Sequence, residues 1–142
     1  MQIYLVKMKA RKGSHSVFSI KLHFVFVTHY RRKAITAAML ERLREMMSQV
    51  CIKMKCELIE FSGEADHVHA LVDFHPKNSV SAVAGSLKAA TSRCMKKEFP
   101  NEVAKFYSGV SFWSKSYYVA STGGAPIERI KQYINSQEQP SK

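Results

Sequence analysis

Asp66-His67-Val68-His69-Ala70-Leu71-Val72-Asp73-Phe74 is the stretch that organises the rest of the chain. Its alternation puts His67 and His69 on one face of a β-strand and Val68, Ala70, Val72 and Phe74 on the other. The apolar face is a ready core surface. The strand is thus anchored from one side and presents two imidazoles from the other, a geometry that suits a divalent metal with open coordination positions. In a chain with six histidines this spacing alone says little, so its meaning rests on what the remaining residues supply.

The 142 residues are the length of one domain with a sizeable core. Twenty-two Lys and Arg against eleven Asp and Glu give a net charge of +11. Such an excess implies a polyanionic partner, nucleic acid first among them; the plainer alternative is a basic solvated surface. Cys51, Cys56 and Cys94 are odd in number and lack C-x-x-C spacing, so neither a disulfide framework nor a zinc knuckle is indicated. They read as reduced cysteines of an intracellular protein. The first sixteen residues mix apolar side chains with Lys and Arg and do not form a signal peptide. The most apolar run, 17–28, is broken by Lys21 and His23 and is too short to span a bilayer. The expectation is a cytoplasmic protein that does not enter the membrane.

Outward from the His-x-His strand, 16–28 alternates with Phe18, Ile20, Leu22, Phe24 and Phe26 on one face, predicting a long first strand. Thr36 can cap a helix whose apolar positions are Leu40, Leu43, Met47, Val50 and Met54. Residues 57–64 read as a second strand, 63–66 as a turn and 67–74 as the third strand. Ser79 opens a second helix with a stripe of Val80, Val83, Leu87, Ala90 and Cys94, and Pro100 marks its end. Residues 112–121 read as a fourth strand. Gly123-Gly124 reads as a flexible joint before a last helix that starts near Pro126. The order predicts an α+β, ferredoxin-like split βαββαβ fold: an antiparallel sheet with both helices on one face, plus a C-terminal helix. In that plan the first and third strands are central, and His23 shares the face of His67 and His69 away from the helices. The whole chain, 1–142, reads as one domain with a flexible basic segment at 1–15 and a mobile helix at 125–138.

In the last helix Arg129, Tyr133 and Gln137 stack at i, i+4 and i+8 beside an apolar stripe of Ile127, Ile130 and Ile134. A phenol and an amide one turn apart can meet a metal together. Read alone, the pair favours the plain alternative: Tyr133 as a helix residue at the core edge and Gln137 as a polar helix end.

Taken together, these residues resemble the HUH endonuclease superfamily, specifically its small single-tyrosine transposases, the TnpA type of minimal insertion sequences. The resemblance runs from about Ser16 to Gln137. Leu22-His23-Phe24-Val25-Phe26-Val27-Thr28-His29-Tyr30-Arg31 looks like the family's opening strand and K-Y-R box, and Asp66-His67-Val68-His69-Ala70-Leu71-Val72 like its D-H-V-H-L-L motif. The segment from Ser86-Leu87-Lys88 through Ser92-Arg93 is similar to its L-K-G-x-S-S-R helix. Trp113-Ser114-Lys115-Ser116-Tyr117-Tyr118-Val119 resembles its W-x-x-S-Y-F-V strand, and Gln132-Tyr133-Ile134-Asn135-Ser136-Gln137 its K-Y-I-x-x-Q helix. Ala70, Asp73, His29 and Ala89 depart from the family's frequent residues without removing a catalytic group.

The resemblance implies that His67, His69 and Gln137 are metal ligands for Mg²⁺, with Mn²⁺ as the alternative, and that Tyr133 is the nucleophile. The implied reaction is metal-dependent transesterification through a 5′-phosphotyrosine, by which single-stranded DNA at insertion-sequence ends is cleaved and rejoined. Tyr30, Arg31, Arg32 and Lys33 read as a base-stacking and phosphate-contacting group, with Lys88 and Arg93 holding a folded-back DNA hairpin. Tyr117 and Tyr118 read as strand residues that pack, and His23 as a hydrogen-bonded strand histidine. One tyrosine holds one cleaved end, so excision calls for two protomers. The implied assembly is a homodimer with sites shared in trans, in a bacterial or archaeal cell and associated with the nucleoid. Two other readings stand beside this one. A non-catalytic ferredoxin-like binder of single strands would carry stacking aromatics on its central strands. A domesticated nickase of the same superfamily would share every motif.

Overall fold

The computed structural model describes residues 10–13, 16–121 and 127–137. In chain order the elements are β1 (Arg11–Lys12), β2 (Val17–Phe18), β3 (Lys21–Val27), α1 (Ala37–Lys53), β4 (Glu57–Glu64), β5 (His67–Asp73), α2 (Val80–Glu98), α3 (Pro100–Tyr107), β6 (Tyr118–Ser121) and α4 (Ile127–Ser136). A 3₁₀ turn, His29–Arg31, follows β3. The main sheet has the order β4-β5-β3-β6, and every pairing in it is antiparallel. The expected split βαββαβ plan is present, with the first long strand and the His-x-His strand side by side at its centre.

The alternation of β3 and β5 sorts their residues. Phe24, Phe26, Val68, Ala70 and Val72 are fully buried against α1 and α2. Thr36 caps α1 by accepting from the Met39 N–H at 3.2 Å, and Ser79 caps α2 by accepting from Ala82 N–H at 3.1 Å. The stripe of α2 is rotated from the expected one: Val83, Ala84, Leu87, Thr91, Cys94 and Met95 face the core. Buried Thr91 earns its place by two bonds, donating to Leu87 O at 2.6 Å and accepting from Trp113 Nε1 at 2.9 Å. At the β4–β5 turn, Gly63 lies opposite Val68, and a Cβ there would stand 2.8 Å from His67 O and 2.8 Å from Leu40 Cδ1. Only glycine lets α1 approach this turn so closely.

Three expectations need correction. The strand expected over 16–28 is two strands, broken at Ser19-Ile20, because Val17–Phe18 turn aside to pair with Arg11–Lys12. The fourth strand is only Tyr118–Ser121. Phe112 and Trp113 turn inward so that Trp113 reaches Thr91, leaving one isolated bridge among the described residues, Thr28 to Trp113. Pro100 does not simply end α2: it opens α3, a position proline favours because its missing N–H is unneeded there. Tyr107 of α3 donates its hydroxyl to His29 O at 2.7 Å and so braces the turn after β3. Of the basic segment 1–15, residues 10–13 are described and include β1. The Gly123-Gly124 joint and Pro126 lie outside the described residues. Among the described residues no helix is long and apolar enough to cross a membrane.

Candidate active site

The face of the sheet away from α1 and α2 carries His23, Val25 and Val27 of β3 beside His67, His69 and Leu71 of β5. The register sets Val27 opposite His67, Val25 opposite His69 and His23 opposite Leu71. His69 therefore has an imidazole on each side. Its ring centroid is 4.9 Å from that of His67 and 5.3 Å from that of His23, and its Nδ1 lies 3.3 Å from His23 Nε2. His23 is thus a hydrogen-bonded strand histidine, as expected.

His67 follows the two-residue turn Ala65-Asp66 and is 8% exposed. Its Nδ1 is 2.8 Å from Asp66 Oδ1. A carboxylate only accepts, so Nδ1 donates to it, and in the neutral ring Nε2 keeps its lone pair. The other oxygen of Asp66 is 3.3 Å from Arg31 Nε, which completes a chain from Arg31 through Asp66 to His67. Burial, then His67, then His23 push His69 down to about 4. Burial also lowers His23, against the opposing pull of Glu60. His69 is therefore neutral at physiological pH, the state in which imidazole can bind a metal. Asp66 was not among the residues singled out as functional, although an acid directly before a ligand histidine is a readable signal.

The last helix sits on this same face. Ile130 is buried against Val25 and Val27, with Tyr118, Tyr133 and Ile134 packed around them. Between this helix and β4 and β5 runs a cleft of about 720 Å³ lined by His23, His67, His69, Glu60, Glu64, Ile130, Lys131 and Ile134. Tyr133 and Gln137 are turned along the other side of the helix. Tyr133 Oη is 2.7 Å from Ser116 Oγ, and Gln137 Oε1 accepts from Ser114 Oγ at 2.6 Å and Ser116 Oγ at 3.3 Å. Burial raises the Tyr133 phenol, partly offset by its Ser116 bond. The chain thus brings His67, His69 and His23 together and seats Tyr133 and Gln137 on serines nearby. Neither Tyr133 nor Gln137 lines the histidine cleft. Among the described residues no group of three or more His, Cys, Asp or Glu is placed to hold a metal ion. The two serines went unremarked as functional, since the bonds that tie them to α4 span 17 to 23 residues.

The expected DNA-contacting residues fall in two places. Tyr30 and Arg31 both have positive φ, 58° and 56°, in a sharp turn that leaves Tyr30 41% exposed. The Arg32 guanidinium is 5.7 Å from the Tyr30 ring, and Lys33 is exposed beside them. Arg31 is shared between Asp66 and the Asn135 side chain, which accepts from its Nη1 at 3.3 Å. On α2, Arg93 is exposed, whereas Lys88 donates to the carbonyls of Ser114 at 2.7 Å and Lys115 at 2.9 Å. Burial lowers the Lys88 ammonium. Lys88 therefore supports the serine loop in addition to any contact it makes outside the chain.

Comparison with known proteins bears on all of this. Residues 16–137 match the family of IS200-like transposases. Over 129 residues the chain is 31% identical to the transposase of insertion sequence element IS200 from Salmonella typhimurium, spanning 91% of this chain and 84% of that protein. Over 137 residues it is 23% identical to the ISDra2 transposase TnpA of Deinococcus radiodurans, spanning 96% and 97% of the two. Among solved structures, a Deinococcus radiodurans protein assigned as a transposase superposes with a TM-score of 0.83 at 25% identity, covering 92% of this chain and 99% of that one. A REP-associated tyrosine transposase bound to a REP hairpin shares the fold, with a TM-score of 0.54 at 10% identity, covering 87% and 67%.

Proposed function

The chain belongs to the family of IS200-like transposases and is a DNA transposase, and from that premise we propose that it cleaves and rejoins single-stranded insertion-sequence ends through Tyr133. The phenolic oxygen attacks a backbone phosphorus, the bond from phosphorus to the 3′-oxygen breaks, and the proton lost by the phenol is matched by the one gained at the 3′-OH. The products are a 5′-phosphotyrosine and a free 3′-OH. A later 3′-OH reverses the exchange at a new junction, so no ATP is needed.

His67 Nε2, an imidazole nitrogen of His69 and the Gln137 amide oxygen would hold Mg²⁺ or Mn²⁺. The donor chemistry fits, because the Asp66 bond leaves His67 a lone pair directed away from Asp66 and His69 is neutral. When bound, such a cation neutralises charge on the scissile phosphate and draws electron density from phosphorus. The chain's own residues do the rest. Asp66 and Arg31 fix the His67 ring, His23 fixes His69, and α4 carries the nucleophile.

The observation that supports this reading most is that α4, with Tyr133 and Gln137, is seated over the sheet face that bears His67 and His69. Its seat on Ser114 and Ser116 is a resting position, in which the phenol stays protonated. Delivery of Tyr133 to the histidines requires α4 to shift on its own sheet or to cross to a second copy. A homodimer with shared sites satisfies the need for two tyrosines. The central strands present imidazoles and valines where a non-catalytic binder needs stacking aromatics.

The test is cleavage of single-stranded DNA carrying both element ends, with Mg²⁺. His67→Ala and His69→Ala should abolish cleavage and leave DNA affinity largely intact, since affinity comes from Lys and Arg at phosphates. Normal cleavage by both variants, or by the wild type in EDTA, would remove the metal from the mechanism.

A further inference from the structure

The end of the sheet remote from His67 carries a second concentration of charge that the proposed chemistry does not use. Asp73 closes β5 opposite Lys21, six residues from His67, or roughly 20 Å along the strand at about 3.3 Å per residue. Three segments meet there: the β1–β2 hairpin, the turn between α1 and β4, and the turn after β5. They enclose a hollow of about 800 Å³ lined by Arg11, Lys12, Lys55, His75 and Lys77.

This convergence is built by specific bonds. Arg11 donates to Asp73 Oδ1 at 3.1 Å and to Lys55 O at 2.6 Å, which ties β1 to two other segments. Asn78 Nδ2 donates to Met54 O at 2.8 Å and so brings Lys77 toward Lys55. Asp73 is already shared between Arg11 and Lys21. Lys12, Lys55 and Lys77 are exposed, and among the described residues none has a carboxylate within 4 Å. Lys55 holds a positive φ of 60° in the turn that presents it. Bringing like charges together costs energy unless an anion joins them. His75, at the centre, senses the field: desolvation and then Arg11, Lys77 and Lys55 lower its proton affinity. Arg11 and Lys12 precede residue 16, where the match to the family begins.

We propose that Lys12, Lys55 and Lys77 form a second phosphate-binding patch that grips the DNA backbone roughly 20 Å from the candidate active site. The inference rests on the reading of the chain as a single-stranded DNA transposase. Nucleic acid is the occupant favoured, because three exposed ammonium groups around one open hollow match a run of phosphates.

The test measures binding of the full chain to the oligonucleotide dT40 across a salt series, for wild type and for a Lys12→Gln/Lys55→Asn/Lys77→Gln variant. Asparagine is chosen at 55 because it tolerates positive φ. Losing three phosphate contacts should make the slope of log K against log salt shallower by about 2 and weaken binding about tenfold at moderate salt. The rate of covalent adduct formation at saturating DNA should stay that of wild type, and Lys12→Arg/Lys77→Arg should keep the wild-type slope. A triple variant with wild-type slope and affinity overturns the patch while leaving the transposase reading untouched. A wild-type chain that binds no dT40 also overturns the patch, whereas the transposase reading falls only if DNA carrying the element ends is not cleaved.

Discussion

Tyr133 Oη and Ser116 Oγ lie 2.7 Å apart, and one turn further along α4 Gln137 takes hydrogen bonds from Ser114 and Ser116. The two α4 groups assigned to chemistry are therefore held by a common loop. Each such bond contributes about 0.5–1.5 kcal/mol net. Among the described residues, Ile130, Ile134 and Tyr133 dock the helix on Val25, Val27 and Tyr118.

Ser114→Ala/Ser116→Ala should release the latch. With DNA bound, covalent adduct should form at least about 10-fold faster than in wild type, because the three bonds lost together hold the resting position by at least about 1.5 kcal/mol. Single-turnover kinetics on single-stranded substrate read this directly. A slower variant would place the serines in the working site and not in a resting one.

Asp66→Asn keeps the shape of the side chain but loses the carboxylate that fixes the His67 tautomer. We expect metal affinity to fall about 10- to 100-fold, with cleavage recovered at high Mg²⁺ or Mn²⁺ and DNA affinity unchanged. Metal titration of cleavage checks it. Wild-type metal dependence in this variant would show that His67 is oriented without Asp66.

Mixing protomers tests whether α4 serves its own sheet or its neighbour's. Neither Tyr133→Phe nor His67→Ala should cleave alone. In a heterodimer with helices exchanged, one composite site regains both groups, and cleavage should return to a fraction of wild type. Absence of rescue in a sample shown to contain heterodimers assigns the sites to single chains.

Where the sequence could be read, short-range patterns carried the reading. His67 and His69 share a face because two-residue periodicity allows nothing else. His23 joins them once β3 and β5 are neighbours, which the split βαββαβ order requires. The helix α3 was hidden because Pro100 serves as well to start a helix as to stop one. The fourth strand read too long because its alternation says nothing of Trp113, which is drawn inward by Thr91, 22 residues away. The two-residue strands β1 and β2 are too short to leave a pattern. Tyr133 and Gln137 could be found by type and spacing, but their seat on Ser116 and Ser114 depends on how a loop and a helix meet across the sheet.

Tyr133 is the residue proposed to form the covalent bond to DNA. The direct measurement is to incubate the chain with Mg²⁺ and single-stranded DNA carrying the element ends, digest the denaturation-resistant adduct, and locate the modified residue by peptide mass. The expected product is a nucleotide attached through its 5′-phosphate to Tyr133, with no adduct from Tyr133→Phe that still binds DNA. An adduct that persists in Tyr133→Phe, or that maps to Tyr117 or Tyr118, would contradict it.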